Sequence, residues 1–176
     1  MTELPSLLVN FRVYDGDSND MIGVADVELP KLEAMTETLK GAGVSGEVDM
    51  PVLGHYASME TKLNFRTVDK NSLKISATKS QKLEIRGAQE VYNKATGEVV
   101  VVPVKLVVKG MPKSMELGKF EMGSGTDSSL TLETMYLKLS IDRKIKAEID
   151  KLNYIANIDG TDSVSYTHLR AHETGA

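Results

Sequence analysis

Few residues in this 176-residue chain have the types and spacing that chemistry needs. Gly41–Gly46, GAGVSG, matches G-x-G-x-x-G letter for letter. A dinucleotide site built on that pattern needs the glycines to leave a strand and open a helix whose N-terminus holds the pyrophosphate. Here the next residues are EVDMPVL, with Pro51 and no helical period. The run reads as a flexible, close-approach loop. Asp15–Asp20, DGDSND, offers carboxylate or amide oxygens at Asp15, Asp17 and Asn19, as a calcium loop does. Its sixth position should be Gly but is Asp20, and its twelfth should be Glu but is Asp26. Asp, Gly, Asn and Ser are turn formers, so a solvated hairpin turn is expected.

The chain has no Cys, which removes disulfides, thiolate metal sites and Cys nucleophiles together. Val164–Thr174, VSYTHLRAHET, resembles a translated sequencing-library adapter and is set aside, taking His168 and His172 with it. We therefore expect one domain over residues 1–163 and a non-native, adapter-derived tail over 164–176. His55 is then the only histidine, with no second His or Cys to share a metal or a triad. No carboxylate pair stands out for acid–base work. No catalytic, cofactor-binding or metal-ligating set emerges, and no enzyme or cofactor is expected.

The elements that must position these residues follow a period of two. From Ala57 to Phe65 the apolar parity is Ala57, Met59, Leu63 and Phe65, with Ser58, Glu60, Lys62, Asn64 and Arg66 opposite, as in a half-buried strand. Val100, Val102, Val104, Leu106 and Val108 predict another, in which Pro103 marks an edge position or a bulge. Leu130–Ile141 alternates with one slip near Thr134, as a β-bulge produces. A second slip separates Ile145, Ala147 and Ile149 from Leu152, Tyr154, Ala156 and Ile158, read as a bulge or bend in a long strand. Asp15–Asp20, Asn93–Gly97 and Asp142–Lys144 are the turns between strands. Asp69–Thr78 predicts one short helix behind an Asp/Asn cap, although Leu73, Ile75 and Ala77 also fit a strand. The fold class is mainly β: an antiparallel two-sheet sandwich or barrel-like domain with one short helix and a long extended loop.

That length of chain can bury roughly two-thirds of its unfolded surface as a single domain. The net charge of −4 argues against tight nucleic-acid binding, which needs clustered Lys and Arg. The N-terminus MTELPSLLVNFRV lacks a signal peptide's basic start, and no run approaches the roughly 20 apolar residues of a membrane helix. The loop within Thr36–Tyr56 is unusually long for a small β domain, and such loops reach for something.

The wording of most of the chain resembles the major tail tube protein of contractile-tailed phages and R-type phage-tail bacteriocins. The likeness runs through LPKL (29–32), GAGVSGEVDMPVLGHYASMETKL (41–63) and EVYNKATGEVVVVPVKLVVKGMPK (90–113). It continues through LGKFEMGSGTDSSLTLETMYLKLSIDRK (117–144), IKAEIDKLN (145–153) and NYIANIDGTD (153–162). The resemblance implies a self-assembling virion structural protein: a homo-hexameric ring that stacks into a hollow tail tube, the conduit for DNA ejection. It implies tail sheath, baseplate and tape-measure proteins as partners, and DNA passing through the lumen without specific binding. It also implies location in the virion tail after assembly in the bacterial host cytoplasm, with no membrane. Inter-ring contact falls to the long loop, through Gly41, Gly43, Gly46, Val48, Met50, Val52, Leu53 and His55. Glu60 and Glu133, on the polar parity of two alternating strands, are the lumen-facing candidates. A tube subunit of a type VI secretion-like injection system fits the same pattern. From another class, so does a monomeric β-barrel module holding a small apolar ligand.

Overall fold

The structure, a computed structural model, describes residues 2–24 and 26–164. Its strands are β1 (Glu3–Asp15), β2 (Met21–Ile22), β3 (Asp26–Glu28), β4 (Ala34–Leu39), β5 (Val48–Tyr56) and β6 (Glu60–Phe65). Helix α1 (Lys70–Ile75) follows. Then come β7 (Gln81–Asn93), β8 (Val99–Glu116), β9 (Ser128–Ile141), β10 (Lys144–Asp150), β11 (Ile155–Ile158) and β12 (Thr161–Asp162). Ten of these strands form one antiparallel sheet in the order β12-β11-β10-β9-β8-β7-β1-β2, with β6 on β9 and β3 on β6. Only β4 and β5 stand apart, as a two-stranded sheet of their own.

The sheet wraps a core because its long strands are broken by bulges. Lys109 of β8 faces Tyr136 and Gly110 faces Thr134, so Met135 is the extra residue near which the alternation slips. Before the bulge β9 pairs with β6, and after it with β10. Leu130, Leu132 and Leu137 thus reach one core with Leu63, Phe65, Leu83 and Val108 despite their different parities. Each such side chain, fully buried, contributes roughly 1.5–3 kcal/mol. Thr61 also sits on the apolar parity, fully buried, where its Oγ1 lies 2.7 Å from Thr134 Oγ1. Two hydroxyls satisfy each other there, which is how a polar pair survives burial.

The short helix forms where the cap signal falls. Asp69 accepts the Ser72 N–H at 2.7 Å, while Ser72 Oγ accepts the Asp69 N–H at 3.0 Å, closing a capping box. Of the three apolar residues in that segment only Ile75 is buried; Leu73 is half exposed. Pro103 pairs with Ala88 across β7, and its carbonyl accepts the Asp142 N–H at 2.9 Å. Its missing N–H faces the same way, past the end of β9, so no ladder bond is lost. Asp142 and Arg143, with φ of 52° and 62°, form the tight hairpin turn that leads into β10.

Three expectations need correction. The second slip is not a bulge in one strand but a hairpin turn over 151–154, held by the Asp150 carboxylate on the N–H groups of Leu152 and Asn153. That turn sets Ile149 opposite Ala156, so both face the core. Val100 is half exposed, because β9 pairs with β8 only from Val104 onward and leaves its first residues uncovered. The extended loop is a β-hairpin, since GAGVSG closes a register in which Leu39 pairs with Val48. Of the expected non-native tail, residues 165–176 lie outside the described residues, with His168 and His172. Val164 is described and is buried, close to Gly54.

Candidate assembly surfaces

The β4–β5 arm carries most of the residues expected to make an inter-ring contact. Gly41, Gly43 and Gly46 form its tip with φ of 115°, 95° and 111°, conformations that a side chain disfavours. In this register Leu39, Val48 and Met50 share a face, Val52 falls in the same parity, and all four are exposed. Thr38 and Asp49 occupy the opposite face, joined by a 2.7 Å hydrogen bond. Leu53 falls in that second parity, and His55 sits lower, in a cleft with Ile149, Asp150 and Tyr154. The register therefore gathers Val48 and Met50 with Leu39 on one face, whereas Val52, Leu53 and His55 lie in the irregular stretch between the Thr36–Pro51 and Ala34–Tyr56 pairs. A lone hairpin is marginally stable. This one is pinned at its root: Ala57 N–H donates to the Glu33 carbonyl at 2.8 Å, and Lys151 Nζ donates to the Ala57 carbonyl at 2.6 Å.

Glu60 and Glu133 are direct cross-strand partners between β6 and β9. Two carboxylates placed so repel each other. Lys113 relieves them: its Nζ lies 2.5 Å from Glu60 Oε1 and 3.8 Å from Glu133 Oε2. Ser58 Oγ donates to the Glu133 carboxylate at 2.8 Å. The hydrogen bond from Lys113 to Glu60, with the charges of both glutamates, raises its pKa above the usual lysine value. Sequence reasoning missed Lys113. It is an extra residue between Pro112 and Ser114, and a bulge re-aims a side chain in a way that alternation does not encode. The same face continues over β3, where Glu28 lies opposite Lys62 and Asp26 accepts a hydrogen bond from Asn64 Nδ2.

On the half of the sheet built by β7, the start of β8 and the end of β9, a broad cleft bears the opposite charge. Arg86, Lys105, Lys138 and Arg143 line it. Two acids sit beside them: Glu84, 2.5 Å from Lys105 Nζ and 3.1 Å from Arg86 Nη2, and Glu148, opposite Lys138 across β9 and β10; for Glu84, the closer contact is to Lys105. The Lys105 hydrogen bond, aided by Arg86 and opposed by burial, holds its carboxyl below the ordinary range. Beyond the core, β1, β7 and β8 run on together as a three-stranded ribbon. Leu4, Leu7, Val9, Val99, Val100 and Val101 are exposed on it, and strand edges are open. The turn at Asp15–Asp20 is closed by Asp15 N–H on the Asp20 carbonyl at 2.8 Å. The Asp15 carboxylate accepts the Asp17 N–H and pairs with Lys74 at 3.3 Å.

A mainly β core with an apolar arm, an apolar ribbon and two surfaces of unlike charge defines a class: a β-rich structural subunit that leaves apolar strands exposed. The chain belongs to the phage tail tube family described as "Phage tail tube protein FII", whose profile matches residues 5–171, and it is a tail tube protein of contractile phage-like systems. It is 34% identical over 143 residues to the tail tube protein of Escherichia phage P2, covering 80% of this chain and 82% of that one. It is 25% identical to the major tail tube protein of Serratia phage KSP20, covering 89% and 90%. Its fold is also similar to that of the sheath/tube terminator of an extracellular contractile injection system, PVC, at a TM-score of 0.53 and 17% identity over 78% of this chain and 97% of that one. The PVC sheath–tube complex matches at 0.50 and 18% identity, over 74% and 87%.

Proposed function

We propose that this chain closes into hexameric rings that stack into a hollow tube, and that the face bearing Glu60 and Glu133 lines the channel through which DNA leaves. The observation that carries the reading is the contrast between the two charged surfaces. One holds Asp26, Glu28, Glu60 and Glu133 against Lys62 and Lys113; the other holds Arg86, Lys105, Lys138 and Arg143 against Glu84 and Glu148. A polyanion slides past the first and sticks to the second. The apolar ribbon of β1, β7 and β8 suits lateral closure, since head-to-tail contacts of one patch on another generate rings. The β4–β5 arm suits stacking, with Leu39, Val48, Met50 and Val52 covered by the next ring. Sheath, baseplate and tape-measure proteins would be the other partners, with assembly in the bacterial cytoplasm, and the role is structural without catalysis.

The native chain has no Cys, so engineered thiols report alone. In tubes assembled from Glu60→Cys or Glu133→Cys protein, a bulky thiol reagent should react slowly compared with Lys138→Cys. Equal rates at all three positions would place Glu60 and Glu133 outside the channel and end the assignment.

A further inference from the structure

We propose that Lys151 is a positioning residue for assembly: its ammonium fixes the angle at which the β4–β5 arm leaves the domain, and that angle decides whether rings stack. The second half of this statement rests on the tube reading; the first does not. The arm pairs with no strand of the main sheet, and no residue of 34–56 is buried. Packing therefore does not aim it. A cleft of about 130 Å³ runs between its root, at Gly54, His55 and Tyr56, and the β10–β11 hairpin, at Ile149 and Tyr154. Gly54 also lies close to Val164, but apolar contact is non-directional.

The direction comes from hydrogen bonds that converge on Ala57. Residues 29–33, which lead into the arm, belong to no strand or helix. Their last carbonyl, that of Glu33, accepts the Ala57 N–H at 2.8 Å, so the two links of the arm are joined to each other. On the exit side Ser58 Oγ donates to the Glu133 carboxylate and the Met59 carbonyl accepts the Thr134 N–H at 2.7 Å, which fixes the chain to β9 from Ser58 onward. Ala57 is thus the hinge, and Lys151 Nζ donates to its carbonyl at 2.6 Å. A charge-assisted bond of this kind is short and strong. Lys151 is itself anchored: its N–H donates to the Met135 carbonyl at 3.0 Å, and the Asp150 carboxylate holds the next two N–H groups. Leverage makes the latch matter. β5 has 9 residues and spans roughly 30 Å, so tilting it by ~20° at Ala57 carries the tip by about 10 Å, whereas a binding geometry must be held within about 0.5 Å. A contact made in only one arm orientation loses apparent affinity by the fraction of time spent there.

Lys151→Met keeps the stem and removes the ammonium; Lys151→Arg keeps a charged donor. The chain has no Cys, so spin labels on Glu37→Cys in the arm and Lys70→Cys on α1, both exposed positions, report alone. Double electron–electron resonance on the unassembled subunit then reads the arm's angle. The parent should give one narrow distance, Lys151→Met a broad distribution, and Lys151→Arg a narrow distance again. Unlabelled Lys151→Met should form rings as the parent does. With its arm aimed about a tenth of the time, it should need about tenfold more protein to stack, read by electron microscopy and light scattering. A narrow distance in Lys151→Met, or a broad one in the parent, would overturn the latch. So would loss of the whole domain's melting transition in Lys151→Met, which would make the lysine part of the core. A broad distance with unchanged stacking would overturn the link from angle to assembly. If the parent forms neither rings nor tubes at any concentration, the tube reading falls and that link with it, while the distances still decide the latch.

Discussion

Glu84 shows how single residues tie the basic cleft to pH. Its carboxyl is held below the ordinary value of 4.5 in the folded chain, by Lys105 first and Arg86 second. A depressed acid stabilises the fold above its unfolded pKa, and that stabilisation fades as pH falls through the folded pKa. Urea midpoints should therefore be flat above about pH 5 and decline below 4.5, and Glu84→Gln should shallow the decline. An unchanged slope would show that Glu84 is not a controlling group. Lys113 works in the other direction. Lys113→Met leaves Glu60 and Glu133 facing each other without a cation, so the variant should be less stable than the parent at low salt. The deficit should shrink as salt shortens the screening length to about 8 Å at 0.15 M. A deficit that ignores salt would point to lost packing of the lysine stem.

At the scale of elements, Met135 is the most consequential position. The extra residue lets Leu132 and Leu137 both face the core. Deleting Met135 would turn every side chain from Tyr136 to Ile141 to the wrong face. The deletion should give no cooperative unfolding transition by circular dichroism, whereas Met135→Ala should fold. The arm is the opposite case, an element the domain can lose. Met50→Asp with Val52→Asp should move the melting midpoint little, because both side chains are exposed, and should abolish stacking. If the double variant unfolds, the arm belongs to the core. Asp69→Ala removes the acceptor of the capping box and should cost roughly 1 kcal/mol, read as a shift in the urea midpoint.

For the whole molecule, stability and assembly are separate quantities. Leu63 is fully buried at the centre of the cluster that unites β1, β6, β7, β8 and β9. Leu63→Ala should cost about 2–5 kcal/mol, a large share of the roughly 5–15 kcal/mol that holds a domain together. Yet any variant that still folds should still form rings, since the exposed ribbon and arm are untouched. Assembly in turn should raise the melting midpoint with protein concentration, because binding to the folded state alone stabilises it. A midpoint independent of concentration would mean that the copies do not bind under those conditions.

Alternation along Leu130–Ile141, the slip near Thr134, the turns at 93–97 and 142–144 and the cap at Asp69 were all legible in the sequence. Each is a local matter of period, turn chemistry or one side chain reaching its own backbone, and needs no knowledge of distant neighbours. The family, too, was legible in the order of its phrases. Four other features depended on which segments meet. Thr61 is buried only because Thr134 comes to lie beside it. Val100 is exposed only because β9 ends its pairing at Val104. Lys113 reaches Glu60 and Glu133 only through a bulge, and Phe120 is left in water by a loop closed from Arg66 and Val68. Burial and charge pairing are sums over partners far apart in the chain, so the tertiary structure alone decided them.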